Sequence, residues 1–150
     1  MYRIQVENTR EALKDCAELG KEYYNEVEFN TKEFEYNLSF DAVENMVDAQ
    51  MLQIVTVRDE LDILVGFSAM FIVPEFTNGL IVAKTLFLYI RPWARGGRLF
   101  LKLMDFLEEL AEAKGAKVLM LGFKKGKGDD LAERLGYHHE ESIFYKKVGA

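Results

Sequence analysis

Between Leu52 and Ile90 the chain carries three runs rich in β-branched and aromatic residues, and only two short polar stretches part them. Arg58-Asp59-Glu60-Leu61-Asp62 joins residues 52–57 to residues 63–73, and the stretch from Pro74 to Gly79 joins those to residues 80–90. Polar breaks of this kind make turns, so the three runs predict an antiparallel meander. The rest of the chain predicts what flanks it. Tyr2, Ile4 and Val6 alternate with Arg3 and Gln5, the period of a half-buried strand. Asn8 with Glu11 imitates a capping box, and Leu13, Cys16, Ala17 and Leu19 share one helical face before Gly20, in a helix reaching Tyr24. Ser39 or Asp41 caps a second helix striped by Phe40, Val43, Met46 and Val47.

Pro92 ends the third run, and past Arg95-Gly96-Gly97-Arg98 a long amphipathic helix turns Leu99, Leu103, Phe106 or Leu107, and Leu110 inward until Gly115 stops it. A strand over 118–123, a short helix capped by Asp129 or Asp130 and running through Leu135, and a last strand over 143–148 complete the order β-α-α-β-β-β-α-β-α-β. The pattern is that of an α/β chain with a mixed, α+β-type sheet.

Composition bounds the rest. A single domain accounts for 150 residues, 49% hydrophobic and 29% charged, and a chain of this length hides roughly 68–70% of its unfolded surface, enough for a core without staples. Cys16 has no partner for a disulfide and no Cys/His cluster has zinc-site spacing, so no metal is expected and a reducing, cytoplasmic setting is. No apolar leader follows Met1 and no run reaches about 18 apolar residues, which predicts neither export nor a membrane span. Nineteen basic against 25 acidic side chains leave a net charge of −6, so a nucleic-acid backbone is repelled at long range. Two small basic patches remain, Arg91, Arg95 and Arg98, then Lys124, Lys125 and Lys127, each suited to one phosphorylated ligand.

The first patch lies where the chemistry is most legible. A helix start leaves about four backbone N–H groups without intrahelical carbonyls and carries roughly half a positive charge, so it collects phosphate oxygens. Gly96 and Gly97 permit positive φ and let a ligand approach the main chain, while Arg95 and Arg98 add charge. An ordinary glycine-rich turn with solvated arginines is the other reading of this short motif.

The wider context resembles the Gcn5-related N-acetyltransferase family, in which an apolar strand leads into P-x-x-R-G-x-G-x-G/A at a helix start. Here the segment runs Leu88-Tyr89-Ile90-Arg91-Pro92-Trp93-Ala94-Arg95-Gly96-Gly97-Arg98-Leu99-Phe100. Leu131-Ala132-Glu133-Arg134-Leu135-Gly136-Tyr137 resembles that family's second marker, L-Y-E-K-L-G-F/Y, and the order of elements matches along essentially the whole chain. The Arg-Gly-Gly-Arg variant with the late Tyr145-Lys146 is similar to members carried by phages and prophages.

The resemblance implies an acyl-CoA N-acyltransferase fold, acetyl-CoA as co-substrate, and direct attack by an amine of a small molecule or protein, without a covalent enzyme intermediate. It implies that main-chain N–H groups of Arg95, Gly96, Gly97, Arg98, Leu99 and Phe100 hold the pyrophosphate. The edge of Leu88, Tyr89 and Ile90 then pairs with the pantetheine amides, and the thioester lies in a splay against the strand at 118–123. Lys124, Lys125 and Lys127 either meet the 3′-phosphate or form a solvated loop. The acidic, aromatic segment 21–36 falls at the family's acceptor-binding loop, where Glu26, Glu28 and Phe29 suit a cationic amine through charge pairing and cation–π contact; a solvated acidic loop is the plainer reading.

Several positions depart from the family pattern. Phe100 replaces the small last residue of the cradle and Arg98 its third glycine, although the spacing with Leu103 and Leu107 points the ring into the core. Ala132 stands where the family keeps the tyrosine that protonates the thiolate, which leaves Tyr137 and Tyr145 as proton donors. Thr85 occupies the place of a glutamate base, leaving Glu22, Glu26, Glu28 or Glu75 to act through water. Cys16, on an apolar helix face, reads as core rather than nucleophile. These losses keep two other readings open: an inactive member acting by binding a host or partner protein, and a phosphate-ligand module of unrelated α+β fold. A homodimer is the commonest arrangement for a soluble oligomer.

Overall fold

The computed structural model describes residues 1–27, 34–124 and 128–149. Five strands form one sheet in chain order: β1 (Arg3–Val6), β2 (Leu52–Arg58), β3 (Leu64–Pro74), β4 (Ile81–Ile90) and β5 (Val118–Met120). Pairing is antiparallel from β1 to β4, as the turns predict, and β5 joins β4 in parallel. The four helices are α1 (Arg10–Val27), α2 (Phe40–Asp48), α3 (Leu99–Ala113) and α4 (Asp129–Arg134). A parallel pair needs a crossover to carry the chain back, and α3 is that crossover.

α1 and α2 cover one face of the sheet, where Leu13, Cys16, Leu19, Tyr23 and Val47 pack on Ile54, Leu64, Phe67, Ala69 and Tyr89. α3 covers the other, with Leu99, Leu103, Met104 and Leu107 against Val55, Val57, Val65, Met70 and Ile90. Hiding side chains of this size contributes roughly 1.5–3 kcal/mol each. With helices on both faces every residue of β2 is buried, and its polar Gln53, Thr56 and Arg58 are satisfied there by Asn8 and Glu7.

Several local expectations are corrected. Thr9 caps α1 in place of Asn8: the Ala12 N–H donates to Thr9 Oγ1 at 3.2 Å. Asn8 reaches β2 instead, accepting from the Ile54 N–H at 2.8 Å and donating to Gln53 at 3.1 Å. Ser39 is the N-cap of α2 without a side-chain bond, and Gly128 precedes Asp129 at α4. The strand expected over 118–123 pairs only as far as Met120. The strand expected over 143–148 is absent from the sheet, and Ile143, Phe144 and Val148 are 81%, 90% and 84% exposed. Strand-forming side chains make a strand only where a neighbouring edge offers N–H and C=O groups in register, and no described strand runs beside this segment. No described helix is long and apolar enough to cross a membrane.

Candidate functional site

β4 outruns β5. Their ladder sets Val82, Ala83 and Lys84 opposite Val118, Leu119 and Met120 and stops there, while β4 continues to Ile90. Thr85 closes the ladder, its hydroxyl donating to Met120 O and accepting from the Gly122 N–H, both at 3.4 Å. The residue that stood in the place of a glutamate base is therefore a clip between strands. Beyond it, the edge from Leu86 to Ile90 has no partner strand among the described residues. Leu86 itself is a bulge, since Thr85 pairs with Met70 and Phe87 with Ala69. The wholly buried Ser68 donates its hydroxyl to the Phe87 carbonyl at 2.7 Å and fixes the bulge in place. Bulges of this kind re-aim a strand beside a site.

After a 3₁₀ turn at Pro92–Ala94, Gly96 and Gly97 take φ of 102° and 61°, the left-handed region that favours glycine. Where a Cβ would stand on either, space is open. The Lys102 N–H is the first at the start of α3 to find a carbonyl, Arg98 O at 2.9 Å, and the N–H groups from Gly96 to Leu101 make no backbone bond among the described residues. Phe100 does not obstruct them, for its ring packs against the α3 side of the core with Leu99 and Leu103. Unpaired donors, an open glycine surface and a withdrawn ring fit a pyrophosphate. Arg98 is exposed and forms no ion pair with a described residue.

Arg95 is otherwise engaged. Its Nη1 and Nη2 donate to Glu26 at 2.7 and 2.8 Å and its Nε to Ile90 O at 2.7 Å. The guanidinium carbon lies 5.2 Å from the centre of the Tyr89 ring, and the Tyr89 hydroxyl donates to Glu26 at 2.6 Å. Burial, then the Glu26 carboxylate, pushes the Tyr89 phenol well above its ordinary value, and the same carboxylate raises Arg95. Arg91 pairs with Glu22 at 3.5 Å. Two acids four residues apart on α1 thus meet two arginines four residues apart around the turn, and Glu26, expected to pair with a cationic amine, is bonded to Arg95 and Tyr89. Glu28 and Phe29, and Lys125 and Lys127, lie outside the described residues.

Leu135-Gly136-Tyr137 forms the exit of α4. The Tyr137 N–H donates to Ala132 O at 3.1 Å and the Gly136 N–H to Glu133 O at 3.0 Å, with Gly136 at φ 91°, the pattern of a Schellman cap. The Tyr137 hydroxyl donates to Glu108 on α3 at 2.6 Å. Burial, then that carboxylate, holds the phenol protonated far past neutrality. Tyr145 is 57% exposed in the C-terminal segment. Cys16 is buried, and burial pushes its thiol up to about 12, which suits core rather than nucleophile. The sequence did not single out Ser68 or Glu108, and it offered Glu22 as a base rather than as the partner of Arg91. Ser68 was visible as a lone hydroxyl in an apolar run, and the Glu22/Glu26 spacing matches that of Arg91/Arg95.

No protein-family model matches the chain, and no curated protein matches it by sequence. Solved structures do resemble it over the whole length. The ribosomal-protein-alanine N-acetyltransferase from Brucella melitensis biovar Abortus 2308 superposes with a TM-score of 0.80 at 20% identity, over 100% of this chain and 99% of that one. AAC(6')-Iy in complex with the bisubstrate analogue CoA-S-monomethyl-acetylneamine gives 0.76 at 17%, over 99% of each chain. A transcriptional regulator from Bacillus halodurans C-125 gives 0.79 at 17%, over 99% of this chain and 100% of that one. At such identities the likeness establishes the fold alone, and that fold is the acyl-CoA N-acyltransferase fold implied by the two sequence markers.

Proposed function

We propose that the chain is an acetyl-CoA-dependent N-acetyltransferase. One observation carries the reading: the β4 edge from Leu86 to Ile90, which has no partner strand among the described residues, leads through the Pro92–Ala94 turn to the N–H groups of Gly96 to Leu101, which make no backbone bond among those residues. A ligand made of an extended, amide-bearing arm ending in a pyrophosphate needs those two surfaces in that order. On this reading the backbone of Gly96 to Phe100 takes the pyrophosphate with help from the Arg98 side chain, the Arg95 N–H being given to Pro92 O at 3.2 Å, and Leu88, Tyr89 and Ile90 pair with the arm. Bound there, acetyl-CoA supplies an activated acyl carbonyl. The chain's own part is to hold that carbonyl at the mouth of the β4–β5 notch, whose depth Thr85 sets and whose bulge Ser68 holds. Tyr137, kept protonated, and Tyr145 are the proposed proton donors on the leaving-group side. β4 carries no carboxylate, so the amine gives up its proton through solvent. The acetyltransferase and coenzyme A analogue named among the structural relatives support the class.

Acetyl-CoA at one hundred times its Kd is expected to stabilise the chain by about 2.7 kcal/mol through mass action. Gly97→Asp sets a carboxylate among the free N–H groups and is expected to remove that stabilisation while the ligand-free melt stays within a few degrees. No melting shift at millimolar acetyl-CoA overturns the proposal. One observation favours a second reading: exposed Ile143, Phe144 and Val148 offer a partner protein an apolar surface. A chain that keeps this fold only to bind a partner shows no shift with acetyl-CoA and releases no thiol with any amine.

A further inference from the structure

A cavity of about 380 Å³ lies on the α1/α2 side of the sheet, between α1, the segment 35–39 and the strand residues Ile54, Phe67, Ala69 and Phe87. Well-packed interiors leave few voids larger than a water molecule, and this volume falls in the range of small-molecule sites, roughly 300–1,000 Å³. Its floor places it beside the chemistry, because Phe87 follows the Leu86 bulge on the very stretch of β4 that leaves β5. Its wall is rigid: Tyr23 meets Phe87 edge-on at 5.4 Å and Phe67 at 6.4 Å.

The far side is held as firmly. The Tyr36 hydroxyl donates to Ala17 O at 2.8 Å and the Tyr24 hydroxyl to Phe34 O at 2.7 Å, with the two rings 5.7 Å apart. Tyr36 can lie there because Gly20 has no side chain; a Cβ on Gly20 would come within 2.6 Å of the hydroxyl. The cavity is thus preformed. Most of its lining is apolar, and among the described lining residues Glu35, exposed at the rim, carries the only charge. Glu26 is tied to Arg95 and Tyr89, so the acceptor charge falls to Glu35.

Resting on the transferase reading above, we propose that this cavity selects the acceptor: a small primary amine with one ammonium, which Glu35 pairs, and an aromatic or branched apolar body, which fills the space over Ala69 and Phe87. The reaction balances without a further reactant. The ammonium loses one proton to solvent, its lone pair attacks the thioester carbonyl carbon, the N–C bond forms as the C–S bond breaks, and the second proton from nitrogen ends on the coenzyme A thiol. A polycationic amino sugar is excluded physically, since it brings several charges and hydroxyls into a space with one carboxylate and few polar partners.

Direct binding to the whole chain tests this, by calorimetry with 2-phenylethylamine, 2-phenylethanol, neamine and a short peptide with a free α-amine, each with and without acetyl-CoA. We expect 2-phenylethylamine to bind most tightly of the four. Glu35→Gln should weaken it about two- to fivefold, as for an exposed ion pair, and leave 2-phenylethanol unchanged. Ala17→Leu, which narrows the cavity from the half-buried face of α1, should weaken both by about tenfold or more, and Ala69→Phe should do the same if it folds. Acetyl-CoA binding without binding of 2-phenylethylamine, or tighter binding of neamine or the peptide, overturns this assignment and leaves the transferase reading standing. Binding of the aryl amine without acetyl-CoA binding supports the cavity and overturns the transferase reading.

Discussion

The Glu26 carboxylate at the end of α1 receives both terminal guanidinium nitrogens of Arg95, at 2.7 and 2.8 Å, across 69 residues of chain. One of the three arginines of the basic patch is thereby neutralised by α1, and a second, Arg91, is paired with Glu22. On the proposed reading Arg98 is the arginine that meets phosphate. Arg98→Gln is expected to weaken coenzyme A binding about two- to fivefold, the effect of one exposed charge, whereas Arg95→Gln changes it less than twofold. The two titrations, run side by side at low and high salt, check this, and a larger loss for Arg95 contradicts it.

Ser68 is wholly buried and gives its proton to the Phe87 carbonyl. Ser68→Ala leaves that carbonyl without its partner, which costs about 1–3 kcal/mol and lowers the melting temperature by about 2–4 °C per kcal/mol. Because the bond fixes the bulge next to the notch, turnover should fall with it. A urea melt and an initial-rate assay measure the two effects, and full stability in the variant would refute the role given to the bond.

Tyr137 donates to Glu108, and both burial and that carboxylate raise its phenol. A folded-state value above the unfolded one, about 10, means the bond's contribution is complete below pH 10 and is lost only as the pH climbs through the folded value. No alkaline limb below pH 10 should therefore come from this group. As a proton donor its loss in Tyr137→Phe should lower turnover about a hundred- to ten-thousand-fold. Turnover unchanged from that of the parent chain in both Tyr137→Phe and Tyr145→Phe removes both as donors.

Arg58, with its side chain 8% exposed, is held by Glu7 and Asp15, each at 3.0 Å. Burial pushes Glu7 upward, but hydrogen bonds from the Thr56 hydroxyl and Arg58 outweigh it and hold the carboxyl below its ordinary value of 4.5. The folded state then releases this proton more readily than the unfolded one, so the stabilisation is complete above 4.5 and disappears as pH falls through the folded value. Glu7→Gln is expected to be less stable at neutral pH by about 1.5–3 kcal/mol and to lose less of its remaining stability on acidification. Urea melts across that acid range, on both proteins, decide it.

What the sequence could settle alone were features whose causes are local. Turn chemistry at 58–62 and 74–79 set the meander, helical spacing of Leu99, Leu103 and Leu107 set α3 and turned Phe100 toward the core, and Gly115 stopped α3 because only glycine takes φ 84° there without strain. The glycine turn with its free N–H groups was legible for the same reason, being a property of a helix start and two glycines. Side-chain partners across the fold were not legible. Arg95 read as a phosphate ligand until α1 brought Glu26 to it, Thr85 read as a missing base until β5 brought Met120 and Gly122 alongside, and residues 143–148 read as a strand although no described edge receives them. Propensity and spacing act within a few residues, whereas an ion pair, a clip or a ladder forms only when packing on both faces of the sheet fixes which distant groups share a place.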